Sequence, residues 1–408
     1  MKDSKDRKII NIIVISLAAV LLTVYAWSLI VLHFNQTMYS QTGMFESDLY
    51  AHIEMALDGW GYSILAVIFR LLALIPNETI FHMGIAVFLG ACEIATLAIT
   101  FIWSKKLELK NWEAVILTGL SGFVMPAFIR AIQPYRYIGY QSPSIWHNST
   151  YIVMKLLALM CIILYIQISR KYKEEMKASD IIVFAILLAL TTAVKTNFVI
   201  AFAPVALLFL IIDKIMGVPF KRLFLAAMTI VPTFGVMLFQ RLVLFGEETG
   251  NGIVIDPLYS VYLRAERPYF TMILSAAFPV FVFLINIIPV LKDTIEDFKY
   301  KKSLKHREFL FGWTMWFAGF VELLLLRETG NRELDDNFAW GYDFCLFIIF
   351  IISILYFIRN IREKERILNS KLIKWIYIVL GTVMLGYHTF CGLYFYIGLT
   401  KGMTFFMQ

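Results

Sequence analysis

Charge is scarce in this chain. Of its 408 residues only 16% are charged, against 60% hydrophobic, and the mean hydropathy is +0.72. A soluble domain of this length carries more charge, so that class is excluded. Cysteine is scarce too: Cys92, Cys161, Cys345 and Cys391 all lie in apolar runs. Their spacing supplies neither a zinc ligand set nor a disulfide framework, and they read as small hydrophobes. Nucleic-acid recognition motifs are missing. The formal net charge of +7 is read as the inner-face excess of Lys and Arg of a membrane protein, so no nucleic-acid partner is expected.

What is present is apolar length, with 35 Phe and 20 Tyr among it. Eleven runs read as spans, at 10–31, 80–104, 112–131, 149–169, 180–194, 198–213, 222–245, 270–291, 309–326, 341–358 and 373–397. The first exceeds the roughly 7–15 apolar residues of a signal-peptide core and lacks a small-x-small exit, so it reads as a retained span. The expectation is an all-α polytopic membrane protein with about 11 transmembrane helices in one domain covering 1–408.

The run 61–75, "GYSILAVIFRLLALI", carries Arg70 at its centre. If it does not cross and the N-terminus is cytoplasmic, the basic clusters "KDSKDRK", "KKLELK", "RKYKEEMK", "KYKKSLKHRE" and "RNIREKERILNSK" all face inward. If it crosses, every later cluster inverts. The positive-inside rule favours the first arrangement. The first outer loop is then 32–79, with interfacial amphipathic helices at 47–58 and 61–75, and Arg70 snorkels. Segments 132–148, 195–197, 246–269 and 327–340 share that outer side.

Polar residues gather at this outer face. In "SDLYAHIEMA", Ser47 or Asp48 would cap a helix, and Asp48 and His52 share one face of it. The other reading of Asp48 is a general base at the edge of a membrane cavity. In "YRYIGYQSPSIWHNSTYIVMK", interfacial aromatics are ordinary belt residues, yet Arg136, His147, Asn148 and Lys155 stand among them. Arg and Lys suit a phosphate, aromatics a sugar ring or prenyl chain. Lys195 lies between two short apolar runs, either as a snorkelling turn residue or as a phosphate clamp. The loop "RETGNRELDDNFAWGY" packs acids, bases and aromatics, including Arg327, Arg332 and Trp340, around a span end. Glu93 and Glu322 are acids within spans, costly unless they face a bundle interior. Sequons at Asn35, Asn77 and Asn148 fall on the same outer side.

This layout resembles the GT-C superfamily of integral-membrane glycosyltransferases that use polyprenyl-phosphate-linked sugars. The resemblance covers the whole chain in topology and is motif-specific at 47–56 and 192–202. It places the superfamily's loop acid on Asp48. It places the lysine of a Lys-Pro-Ser-Phe-like segment on Lys195 in "VKTNFVI", with Thr196 where proline is expected. It implies sugar transfer with inversion to a glycan, lipid or cell-envelope polymer acceptor on the extracytoplasmic side, within a membrane of lipids. Asp48 and His52 would be catalytic. Arg136, His147, Asn148, Lys155, Lys195, Arg327, Arg332 and Trp340 would bind the donor. Glu46 and Asp48, spaced Glu-x-Asp, would hold a divalent cation if the enzyme uses one; a single acid in a metal-independent enzyme is the other option. Rival readings are a polymerase or ligase acting on polyprenyl-linked glycans, and a transporter or lipid flippase, for which the short neighbouring runs 180–194 and 198–213 look like a broken element.

Overall fold

The computed structural model describes residues 2–59, 61, 63–244, 252–330, 333–362 and 370–404. Its helices are α1 (Lys2–Tyr39), α2 (Asp48–Leu57), α3 (Leu65–Ala73), α4 (Glu78–Lys106), α5 (Asn111–Ser121), α6 (Ser149–Arg170), α7 (Ala178–Val194) and α8 (Asn197–Ile215). After these come α9 (Phe220–Met228), α10 (Val231–Phe239), α11 (Tyr259–Arg264), α12 (Pro268–Ser275), α13 (Ala277–Lys299), α14 (Arg307–Leu325), α15 (Phe338–Arg362) and α16 (Lys371–Thr400). Among the described residues, one two-stranded antiparallel sheet pairs β1 (Gly252–Ile255) with β2 (Leu326–Thr329), strands separated in sequence by α11 to α14, with Gly252 opposite Thr329.

Among the described residues, nine helical segments are long and apolar enough to cross a membrane. The protein is therefore a multi-pass, all-α membrane protein. The central one is Phe338–Arg362, whose apolar window is 78% buried, and α8 and α14 pack on it. Between α6, α8 and α14 the rings of Tyr165, Phe202, Phe209 and Phe311 interlock at centroid distances of 5.0–6.0 Å.

Two expected spans come out differently. The apolar helix Ala178–Val194 is shorter than the nine. The run 112–131 is helical only as far as Ser121. Gly122 and Pro126 follow, and proline has no N–H to continue a helix. Backbone groups there bond across the bundle instead: Met125 N–H to the His388 carbonyl and Ala127 N–H to the Leu274 carbonyl, each at 3.1 Å. The extended strand of chain fits against α16 because residue 392 is glycine. A Cβ there would sit 1.6 Å from the Phe123 carbonyl oxygen. Gly392→Ala is therefore expected to destabilise the protein by about 1–3 kcal/mol, because backbone must shift. Gly386→Ala on the same helix meets open space and should be neutral or mildly stabilising through helix propensity. Thermal unfolding midpoints of the two variants in detergent check the contrast.

The run 222–245 divides into α9 and α10 at Thr229–Ile230, just ahead of Pro232, and ends in a widened π-turn at Gln240–Leu244. The Gln240 amide there donates to the Thr192 and Ala193 carbonyls at the end of α7.

Ion pairs tie one end of the bundle. Arg307 makes a two-pronged bond to Asp213, Arg170 bonds Glu308, Arg359 lies 3.7 Å from Glu308, and Arg362 lies 3.4 Å from Glu113. Lys173 donates to the Lys301 carbonyl, Arg222 to that of Tyr172 and Arg359 to that of Leu107. Most of the basic segments read as one face in the sequence thus meet at one end.

At the other end lie α2 and α3. α2 buries Leu49, Ile53 and Ala56, and α3 buries Leu65, Ala66 and Phe69, so each is a short amphipathic helix with one face on the bundle. Arg70 is exposed, and its Nε donates to the Ala56 carbonyl at 2.6 Å, which closes the C-terminus of α2.

Candidate functional site

The chain between Gly122 and Asn148 contains no helix, so its backbone groups seek partners outside it. The His147 carbonyl accepts two hydrogen bonds, from the Asp48 N–H at 3.0 Å and the Ser47 hydroxyl at 2.6 Å. Ser47 is also the cap of α2, accepting from the Leu49 N–H at 3.1 Å. That settles which residue caps. The carboxylate of Asp48, first in the helix, is left for another partner.

That partner is Asn148. Its Nδ2 donates to Asp48 Oδ2 at 2.7 Å, while its Oδ1 caps α6 by accepting from the Tyr151 N–H and the Thr150 hydroxyl, each at 2.8 Å. The Thr150 hydroxyl in turn receives Lys195 Nζ at 3.2 Å. Lys195 stands in extended backbone between α7 and α8, and its ammonium lies 4.6 Å from the centre of the Trp340 ring, within cation–π reach. His52, one turn beyond Asp48, places Nδ1 2.8 Å from the Ser149 hydroxyl. Asp48, Asn148, Thr150, Lys195 and Trp340 therefore form one connected series drawn from four elements.

Two members of this series, Asp48 and Trp340, line a cavity of about 180 Å³ together with Tyr137, Gln141, His147, Ser260, Arg264, Asp335, Asp336 and Asp343, among others, while Asn148, Thr150 and Lys195 stand outside its lining. The Tyr137 ring meets that of His147 edge-on at 4.5 Å. Burial pushes the Tyr137 phenol well above its usual range, with Asp343 and Asp48 adding to the effect, so it stays a hydrogen-bond donor. Asp343 accepts from the Ser142 N–H at 2.9 Å. Arg264 lies 3.7 Å from Asp336 and donates to the Leu334 carbonyl. Asp336 sits at φ +51°, a left-handed backbone uncommon outside glycine and asparagine. Burial pushes its carboxyl up, opposed by the Ser260 hydroxyl and Arg264.

Burial holds both imidazoles neutral, lowering His147 to about 4 and His52 to about 4, although the charge of Asp48 pulls each upward. Lys195 lowers His52 further. The unfolded chain takes up these protons near pH 6.5, whereas the folded chain takes them up only near 4. Stability contributed by the neutral rings is thus complete above about pH 6.5 and falls as pH drops toward 4. Thermal midpoints measured from pH 7.5 down to 4.5 should fall, and should fall less steeply in a His52→Gln/His147→Gln variant.

Other residues singled out in the sequence stand elsewhere. Arg136 is held between the Phe128 and Tyr394 rings at 4.1 and 4.0 Å, outside the cavity lining, where stacking accounts for it. Lys155 is buried on α6 beside the Tyr151 and Phe347 rings. Arg327 is taken up on β2 by Asp256 at 2.6 Å and Glu333 at 2.8 Å, over the Tyr259 ring. Arg332 lies outside the described residues. Glu46 has one buried oxygen without a hydrogen-bond partner among the described residues, and partial burial and Asp48 push its carboxyl up. Among the described residues, no group of three or more His, Cys, Asp or Glu is arranged to hold a metal ion. Glu46 and Asp48 alone do not make a built ion site, and no step below is routed through one.

Sequence reasoning assigned no role to Tyr137, Arg264, Asp336 or Asp343. A signal existed for Asp343: an acid inside an apolar run, three residues past Trp340 and so on its helix face. No protein-family model and no curated protein matches this chain.

Proposed function

We propose that this protein is a membrane glycosyltransferase that moves one sugar from a polyprenyl-phosphate donor to a glycan, lipid or cell-envelope acceptor on the extracytoplasmic side. The observation that carries the reading is the cavity lined by Asp48, Arg264 and Trp340, with Lys195 joined to Asp48 through Thr150 and Asn148 and set against the Trp340 ring. It supplies a proton acceptor and a cation. In this reading Asp48 takes the proton of the acceptor hydroxyl while that oxygen bonds the anomeric carbon. The bond from that carbon to the phosphate oxygen breaks, and polyprenyl phosphate leaves with the electron pair. Attack from the side opposite the phosphate inverts the centre. Arg264, which lines the cavity, with Lys195 against the Trp340 ring as a second cation, stabilises the charge growing on the leaving phosphate. Trp340 and Tyr137 supply faces for a sugar ring.

The test is turnover by purified protein in nanodiscs with a panel of radiolabelled polyprenyl-phosphate monosaccharides and envelope-lipid or glycan acceptors. Polyprenyl phosphate should appear in equal amount to labelled product. Failure of every donor to bind or turn over would overturn the reading.

One observation favours a second reading, ion-coupled transport. Glu322 is 4% exposed, and neither carboxylate oxygen has a hydrogen-bond partner among the described residues. It lies close to Gly341 and the Asn197 carbonyl, beside the α7–α8 break. Proton uptake by proteoliposomes that is lost in Glu322→Gln, with no sugar transfer in wild type, would favour this reading.

A further inference from the structure

A buried ring of side chains lies behind the cavity, in the packing of α1, α4 and the 122–148 segment. The Trp146 indole N–H donates to the Tyr25 hydroxyl at 2.9 Å, and that hydroxyl donates to Glu93 Oε2 at 3.2 Å. From the other side of Trp146, the backbone carbonyl accepts from Gln36 Nε2 at 3.1 Å. Gln36 Oε1 then faces His33 Nδ1 at 2.9 Å, and His33 Nε2 faces Glu93 Oε1 at 3.6 Å. The ring thus closes on Glu93. His33, Gln36, Trp146 and Glu93 are 0%, 1%, 1% and 4% exposed.

The donors can be counted. A carbonyl only accepts, so Gln36 must turn its NH₂ to Trp146 and its oxygen to His33. That oxygen only accepts as well, so His33 Nδ1 carries a hydrogen. A neutral imidazole has one N–H, which leaves Nε2 a bare lone pair opposite a carboxylate oxygen. Among the described residues, His33 Nε2 and Glu93 Oε1 are the two ring atoms without a hydrogen-bond partner. Two lone pairs at that separation in a buried site repel. One additional proton, on either atom, converts the repulsion to attraction.

We propose that Glu93 and His33 share one proton and that the closed ring makes them positioning residues for Asp48. The route is short: the ring holds Trp146 by both its indole and its carbonyl, and the next carbonyl, of His147, is the one that anchors Ser47 and Asp48. Other charged or titratable groups facing Glu93 are Lys155 from α6 and Tyr396 from α16, with Cys92 beside it on α4. The part concerning Asp48 rests on the proposed sugar transfer; the shared proton and the placement of α2 do not.

Two measurements on the full chain in nanodiscs test this. The first is ¹⁵N NMR of histidine-labelled protein, with His33 assigned by its loss in His33→Gln. His33 Nδ1 should bear hydrogen in wild type and in Glu93→Gln. In the latter Nε2 should be an unprotonated acceptor, since the glutamine amide supplies the missing hydrogen. A bare Nδ1 overturns the ring. The second is the spin-label distance between Ala51→Cys on α2 and Ser179→Cys at the start of α7. The distribution should stay narrow in Glu93→Gln and broaden in Glu93→Leu. An unchanged distribution in Glu93→Leu overturns the positioning role whether or not the protein transfers sugar. If transfer is found, kcat should fall at least tenfold in Glu93→Leu and recover in Glu93→Gln with KM little changed.

Discussion

Asp48→Asn is expected to lower sugar transfer by about 10²–10⁴-fold, the range for loss of a positioned general base, while donor binding stays within a few-fold of wild type. The substitution is close to isosteric. The asparagine oxygen can still accept from Asn148 Nδ2, which donates to Asp48 Oδ2 at 2.7 Å. The backbone anchor to the His147 carbonyl does not involve the side chain. The cap on α2 is Ser47, not Asp48, so helix fraying does not confound the result. What the variant loses is a proton acceptor, and the loss should appear in kcat rather than KM. Equal transfer rates in the two proteins would remove Asp48 from the chemistry. An unfolded Asp48→Asn protein, seen by size-exclusion, would contradict the packing described above.

Much of this was legible in the sequence because membrane spans and charge bias are one-dimensional signals. The apolar runs and the grouping of Lys and Arg needed no tertiary information. The short helices α2 and α3 were legible too, since a polar, amphipathic stretch with a Ser-Asp start has few other solutions. What escaped was set by packing. The run 112–131 is as apolar as its neighbours; Gly122 and Pro126 end its helix locally, but the close meeting of Phe123 with Gly392, 269 positions away, which lets the non-helical chain lie against α16, is a matter of packing. The cavity likewise depends on chain crossings. In the sequence Arg136 reads as a donor ligand and Arg264 is given no role, yet Phe128 and Tyr394 take up the first, while the second reaches the cavity. Arg327 looked like a phosphate ligand until the pairing of β1 with β2 brought Asp256 against it. A charge near a span end reads the same whether its partner is a substrate or another loop.

The largest effect on stability is expected at the opposite end of the bundle. Arg307 starts α14 and Asp213 lies near the end of α8, at 1% and 4% exposure. Two guanidinium nitrogens bond two carboxylate oxygens, at 2.8 and 2.6 Å, over the Phe209 ring. Each residue opposes its own helix dipole, a cation at an N-terminus and an anion near a C-terminus. Neither is stabilised by its helix, so each depends on the other. Arg307→Met leaves a buried carboxylate without its partner and should cost about 3–5 kcal/mol, as should Asp213→Leu with the charges exchanged. The double variant Arg307→Met/Asp213→Leu removes both charges and fills the space with apolar atoms. It should recover most of the loss and could exceed wild type by about 1–4 kcal/mol. Thermal unfolding in detergent, read by intrinsic fluorescence and by the fraction surviving size-exclusion, measures all three. If the double variant were as unstable as the single ones, the pair would be contributing more than mutual neutralisation. The specific two-pronged geometry would then be what aligns α8 with α14 and, through α8, sets Lys195 against the Trp340 ring.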